Sequence, residues 1–114
     1  MDYNYSLMTR QRRFTIVFAP EVLVHLDVIE RRDHRLIRRV IEEQLSYLPE
    51  QVTRNRKPLE QPAPFGATWE LRFGSGNRFR VFYEIDPSAQ VVSVLAIGVK
   101  DRRKLLIAGE EFEP

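Results

Sequence analysis

The chain contains no cysteine in its 114 residues. Disulfides are excluded, nothing demands an oxidising compartment, and thiolate metal ligation is unavailable. There are only two histidines and the carboxylates are scattered, so the ligand grouping of a metal site is missing and no cofactor is expected. No apolar run is long enough to cross a bilayer, and the first dozen residues lack the apolar stretch of a signal peptide. No membrane partner is therefore expected, and the cytoplasm is the expected compartment. Repeats and low-complexity tracts are also absent, and the length suits one domain that buries about two-thirds of its unfolded surface. Residues 1–12 read as a flexible N-terminal arm and residues 13–114 as a single domain.

Lysine is the other scarcity: three stand against fifteen arginines. That bias favours bidentate recognition of phosphate or carboxylate over simple solubility. The formal net charge of +2 conceals a segregation, because residues 10–104 hold all 18 basic groups and 12 of the 16 acids, a balance of +6. An RNA backbone or an acidic protein suits such a surface.

What is present in strength is β pattern. Trp-Glu-Leu-Arg-Phe (69–73) and Arg-Phe-Arg-Val-Phe-Tyr-Glu-Ile-Asp (78–86) both alternate apolar and polar, as half-buried strands do. A three-residue loop, Gly74-Ser75-Gly76, with Gly76 in a left-handed position, keeps their apolar faces together. It pairs Leu71 with Phe79 and Trp69 with Val81, and sets Glu70 opposite Arg80 and Arg72 opposite Arg78. After a turn at residues 86–90, Val91–Lys100 is apolar on both faces and reads as a covered or central strand. If Val91, Leu95, Ile97 and Val99 face the core, then Val92, Val94, Ala96, Gly98 and Lys100 face outward. The expected outer face is an open trough floored by Ala96 and Gly98, flanked by Phe82 and ringed by Arg72, Arg78, Arg80 and Lys100.

Upstream, Phe14–Ala19 reads as a strand by its β-branched and aromatic content. Pro20 opens a helix over 20–31, with Val22, Leu23, Leu26 and Ile29 on one stripe. A second helix, 34–48, is expected after an Asp33 N-cap, with Leu36, Ile37, Val40, Ile41, Leu45 and Leu48 on its apolar face. Arg38–Glu42 and Arg39–Glu43 read as solvated pairs on its wet side. The linker 49–68 holds four prolines and the basic cluster Arg54, Arg56 and Lys57, a candidate grip on a nucleic-acid backbone. His25 and His34 fall away from the trough and are set aside. The tail from Lys104 offers a short strand through Leu105, Leu106 and Ile107, or an acidic end lying near the basic face. The order is strand, helix, helix, linker, three strands: an α+β fold of β-α-α-β-β-β type, an antiparallel sheet with two helices on one face.

The blocks Glu-Leu-Arg-Phe, Asn-Arg-Phe-Arg-Val-Phe-Tyr-Glu-Ile-Asp and Val-Val-Ser-Val-Leu-Ala-Ile-Gly-Val-Lys-Asp-Arg resemble the signature of the RelE/ParE toxin superfamily of bacterial toxin–antitoxin systems, over roughly residues 13–107. The resemblance implies a toxin held inactive by a cognate antitoxin. In the RelE-like branch it implies ribosome-dependent mRNA cleavage, with the ribosome and mRNA as further partners. Arg80 matches the arginine that binds the scissile phosphate, and Lys100 the basic residue after the last-strand glycine. The chain departs from the pattern at Thr68 and Glu70, where the best-known nucleases carry lysines, and at Leu106, where they carry a tyrosine.

Metal-free RNA cleavage needs a base for the ribose 2′-hydroxyl, an acid for the leaving oxygen, and cations for the phosphorane. Arg80, Lys100 and Arg72 are the expected catalytic groups, with Arg78, Arg54, Arg56 and Lys57 as RNA or phosphate contacts. Glu70 and Lys57 are the candidate bases, although Glu70 beside Arg80 better serves to hold that arginine. Three alternatives remain: a ParE-like gyrase inhibitor without nuclease activity, a catalytically inactive antitoxin-binding relative, and an RNA-binding module without chemistry.

Overall fold

The β-branched segment Thr15–Phe18 forms strand β1, and Pro20, at φ −56°, leads into helix α1 (Glu21–Asp27). Helix α2 (Arg31–Leu45) follows after a short break. The computed structural model describes residues 12–113, so the expected arm lies outside the described residues except at its last position. Helix α2 starts earlier than its sequence suggests: Glu30 occupies the N-cap, and Asp33 falls within the first turn. His34 explains the shift, because its Nε2 lies 2.9 Å from both the Leu26 and Ile29 carbonyls at the end of α1 and ties the two helices together. Helix α2 closes at Leu45, ahead of Pro49, and its Arg38–Glu42 and Arg39–Glu43 pairs span 3.6 and 4.0 Å on the exposed side.

Seven strands form one sheet. Its path runs β2 (Arg56–Pro58), β3 (Trp69–Phe73), β4 (Phe79–Asp86), β5 (Val91–Asp101), β6 (Lys104–Ile107) and β7 (Glu110–Glu111), with every neighbour antiparallel. β1 joins β5 in parallel at Val91–Val94. The architecture is the expected α+β arrangement, enlarged by β2 in the linker and by β6 and β7 in the tail.

The β3–β4 register differs from the expected one by two residues. Phe73 faces Phe79, Leu71 faces Val81 and Arg72 faces Arg80, which leaves a connection from Gly74 to Arg78 containing a single 3₁₀ turn. Gly76 does take the left-handed position, at φ 63°, and Gly74 (φ 85°) lies so close to the Phe79 ring that a Cβ would fall 2.7 Å from it. A two-residue shift preserves the side-chain alternation, so the apolar face is as expected. The turn after β4 is held by Asp86, whose Oδ1 accepts from Ala89 N at 3.0 Å and Ser88 Oγ at 2.9 Å.

β5 departs further. Phe82 pairs with Ala96 but Tyr83 pairs with Val94, so Leu95 is an extra residue in the ladder. Such a bulge reverses which side chains face which way. Ile97 and Val99 meet the helices as expected, but before the bulge it is Val92 and Val94 that do so, while Leu95 packs on the opposite face. The main core lies between that face of the sheet and Val22, Ile29, Ile37, Ile41 and Leu45 of the helices. Leu23 and Leu48, expected on the apolar stripes, are exposed.

The opposite face is not bare. Ala67, Phe82, Ala96 and Ile107 form a second, smaller core, flanked by Leu59 from the linker, Leu95 from β5, and Leu105 and Phe112 from the tail. The small residues at 96 and 98 therefore do not leave an open floor. They admit covering side chains, and a Cβ on Gly98 would sit 2.9 Å from Leu105 Cδ1 and 3.1 Å from Ile107 Cγ1.

Candidate anion-binding site

Between the linker and the tail this second face keeps a groove of about 340 Å³. Its polar centre is built by strand pairing. Arg72 on β3 and Arg80 on β4 stand directly opposite each other, and Glu70 lies two residues along β3 on the same face. Glu70 Oε1 accepts from Arg72 Nε at 2.8 Å and Oε2 from an Arg80 terminal nitrogen at 3.4 Å. Arg80 Nε also donates to the Asn77 carbonyl at 2.8 Å. Glu70 and Arg80 are both buried, while about a third of the Arg72 side chain is exposed. Burial, then the neighbouring Arg72, lowers the proton affinity of Arg80, and Glu70 opposes both; an arginine starts so high that it stays cationic. Two arginines that would repel across a ladder are thus held by one carboxylate.

Lys57 on β2 pairs with Glu70 and reaches the groove from one side, and Lys100 on β5 reaches it from the other. Arg103, from the β5–β6 turn, completes a set of five cations set against Glu60, Glu70 and Glu111, a net charge of +2 in the groove. Phe82, Leu59 and Phe112 supply its apolar surface. The acidic tail does lie near the basic face, through Glu111 and Phe112; the Phe112 N–H donates to the Leu105 carbonyl at 2.9 Å.

Of the expected site residues, Arg72, Arg80, Lys100 and Lys57 converge. Arg78 does not: it closes the β3–β4 connection on the helix side, 3.7 Å from Asp33 and with its guanidinium 4.5 Å from the centre of the Phe79 ring. Arg56 is buried under helix α2, donating to the Gln44 carbonyl at 2.6 Å and the Leu48 carbonyl at 3.0 Å. It satisfies carbonyls left over at a helix C-terminus, where a cation is also favoured by the dipole, and it does not line the groove. Arg54 is exposed at the turn before β2, outside the groove lining. Arg103 was not among the expected residues, although the run Lys-Asp-Arg-Arg-Lys at 100–104 concentrates charge around it.

Both histidines are structural. β1 and β6 flank the same edge of β5, and His25 fills the interval between them: its Nδ1 accepts the Ile97 N–H at 3.2 Å. The ring meets Phe65 edge-on with centroids 5.1 Å apart, and burial pulls its pKa below the ordinary value, against an opposing pull from Glu21.

This order of elements, a two-helix layer on a mainly antiparallel sheet, is a RelE-like fold, as its likeness to a solved structure shows. A chain in the crystal structure of the toxin–antitoxin complex RelBE2 from Mycobacterium tuberculosis is similar to this one, with a TM-score of 0.64 and 22% identity over 78% of this chain and 93% of that chain. No protein-family model matches the sequence, and no curated protein matches it. Among the described residues no helix is long and apolar enough to cross a membrane.

Proposed function

We propose that this chain is the toxin of a type II toxin–antitoxin system, held inactive by a protein antitoxin and acting in the cytoplasm by metal-independent cleavage of mRNA on the ribosome. The observation that carries this reading is the Arg72–Glu70–Arg80 cluster, flanked in one groove by Lys57 and Lys100. Fixed guanidinium groups can meet the charge that develops on a phosphorane without reorganising first, which is where electrostatic catalysis is strongest. In this reading Arg72 and Arg80 hold the phosphate, Lys100 neutralises charge or gives a proton to the leaving oxygen, and Lys57 is the amine available as base. The likeness to a chain of a toxin–antitoxin complex supports the antitoxin partner.

One observation favours a second reading, a toxin that binds its target without cutting RNA, in the manner of ParE-like gyrase inhibitors. Both oxygens of Glu70 are engaged by arginines, so neither is free to reach a ribose hydroxyl. Expression of the chain alone, and with Lys100→Ala or Arg80→Ala, followed by mapping mRNA ends on translating ribosomes, separates the two. Nuclease action gives growth arrest with new ends, and each substitution lowers cleavage by about 10²–10³-fold. Arrest without new ends supports the binding toxin, and no arrest supports an inactive relative.

A further inference from the structure

The β5–β6 turn carries charge that the fold leaves unpaired. Several arginines near the sheet have a carboxylate partner: Arg72 and Arg80 share Glu70, and Arg78 meets Asp33. Lys100, Arg102, Arg103 and Lys104 crowd into five consecutive residues with a single acid, Asp101, and among the described residues none of them has a carboxylate within ion-pair distance. Asp101 pairs with Lys104 in the ladder, so Arg102 and Arg103 form a two-residue turn. Arg102 sits at φ 58°, in the left-handed region where a hairpin turn ordinarily places glycine. Both arginines are exposed, and a shallow concavity lies over the turn, lined by residues 101–104 alone. Arg103 belongs to two surfaces, since it lines this concavity and the groove.

We infer that the β5–β6 tip is a second anion subsite, continuous with the groove through Arg103, that holds the phosphates of a single-stranded RNA beyond those bound between Lys57 and Lys100. This deepens the proposed function and rests on it. Unpaired guanidinium groups on an exposed turn suit a flexible backbone with repeating charge. The groove alone, with Glu60, Glu70 and Glu111 in its lining, is too nearly neutral to hold a long polyanion by itself.

The test compares binding of a fluorescent dinucleotide and of a single-stranded RNA of about eight nucleotides, a length that exceeds the groove. Affinity is measured across a salt series for the wild type and for an Arg102→Gly/Lys104→Ala double variant, which removes two charges and leaves the turn conformation relaxed. The longer RNA should bind the wild type more tightly than the dinucleotide, and its salt slope should fall by about 1.4 in the variant, at about 0.7 for each cation lost. Dinucleotide binding should not change. An octamer slope that the variant leaves intact overturns the subsite, as does an octamer that binds no better than the dinucleotide; in both cases the groove reading survives. A polyglutamate of similar length that is weakened by the variant, with RNA unaffected, overturns it in favour of an acidic protein. A wild type that binds neither RNA defeats the groove reading and the subsite together.

Discussion

Arg72 and Arg80 face each other across the β3–β4 ladder and both reach Glu70, at 2.8 and 3.4 Å. Removing that carboxylate leaves a buried guanidinium beside a second cation. Glu70→Gln should destabilise the fold by about 2–4 kcal/mol, because a buried charge stripped of its partner keeps its desolvation cost. Arg72, a third exposed, is worth less, and Arg72→Ala should cost about 1 kcal/mol or under. Urea unfolding of the two variants checks the ranking. A Glu70→Gln chain as stable as the wild type would mean that the arginines turn outward and solvate themselves.

His25 predicts a pH dependence. Its folded-state pKa lies below 6.5, since burial disfavours the imidazolium and Nδ1 must stay unprotonated to accept from Ile97. Above pH 6.5 both folded and unfolded states carry the neutral ring, and the full contribution is present. As the pH falls from there toward the folded-state pKa, the unfolded chain takes up the proton first and stability is lost. His25→Leu should abolish that slope while lowering stability at pH 8 by about 1–3 kcal/mol, because the Ile97 N–H loses its acceptor. Denaturant midpoints of both chains across pH provide the measurement.

Arg56 should behave as a structural residue despite its place in a basic cluster. Arg56→Ala frees the Gln44 and Leu48 carbonyls from a charged donor and should cost about 1.5–3 kcal/mol. Arg56→Lys should recover only part, since one ammonium cannot reproduce the planar fork. The salt dependence of RNA binding should be unchanged in both. A reduced salt slope would return Arg56 to the anion site.

Gly98→Ala should destabilise by about 1–3 kcal/mol through overpacking. The added methyl would meet the Leu106 carbonyl oxygen at 3.0 Å, and backbone in a paired strand yields less readily than a side chain. Thermal melting should show a drop of several degrees, about 4–8 °C for each kcal/mol in a domain of this size.

Much of the fold was legible because it rests on local pattern. The alternation in 69–73 and 78–86 placed Leu71, Phe79 and Val81 on one face, and a register error of two residues left that assignment intact. The bulge at Leu95 was not legible. Residues 91–99 are apolar on both faces because two separate cores claim them, so nothing in the alternation marks where the strand changes phase. The β2 strand was hidden by Pro58, which is tolerated because it closes an edge strand. Within the site, Arg72, Arg80 and Lys100 could be gathered from strand parity and Lys57 only as part of the linker's basic cluster, but Arg56 and Arg78 could not be separated from them. What distinguishes those two is a helix terminus and an aspartate from distant parts of the chain.

The sequence by itself determined the two helices, the main strands and the excess of cations on the body, since these follow from hydrophobic period and composition, properties that a residue carries with its neighbours in the chain. Only the tertiary structure decided which arginines are spent on the fold and which face the groove. A guanidinium is committed by whatever acceptor lies within about 3 Å of it, and residues far apart in sequence supply that acceptor.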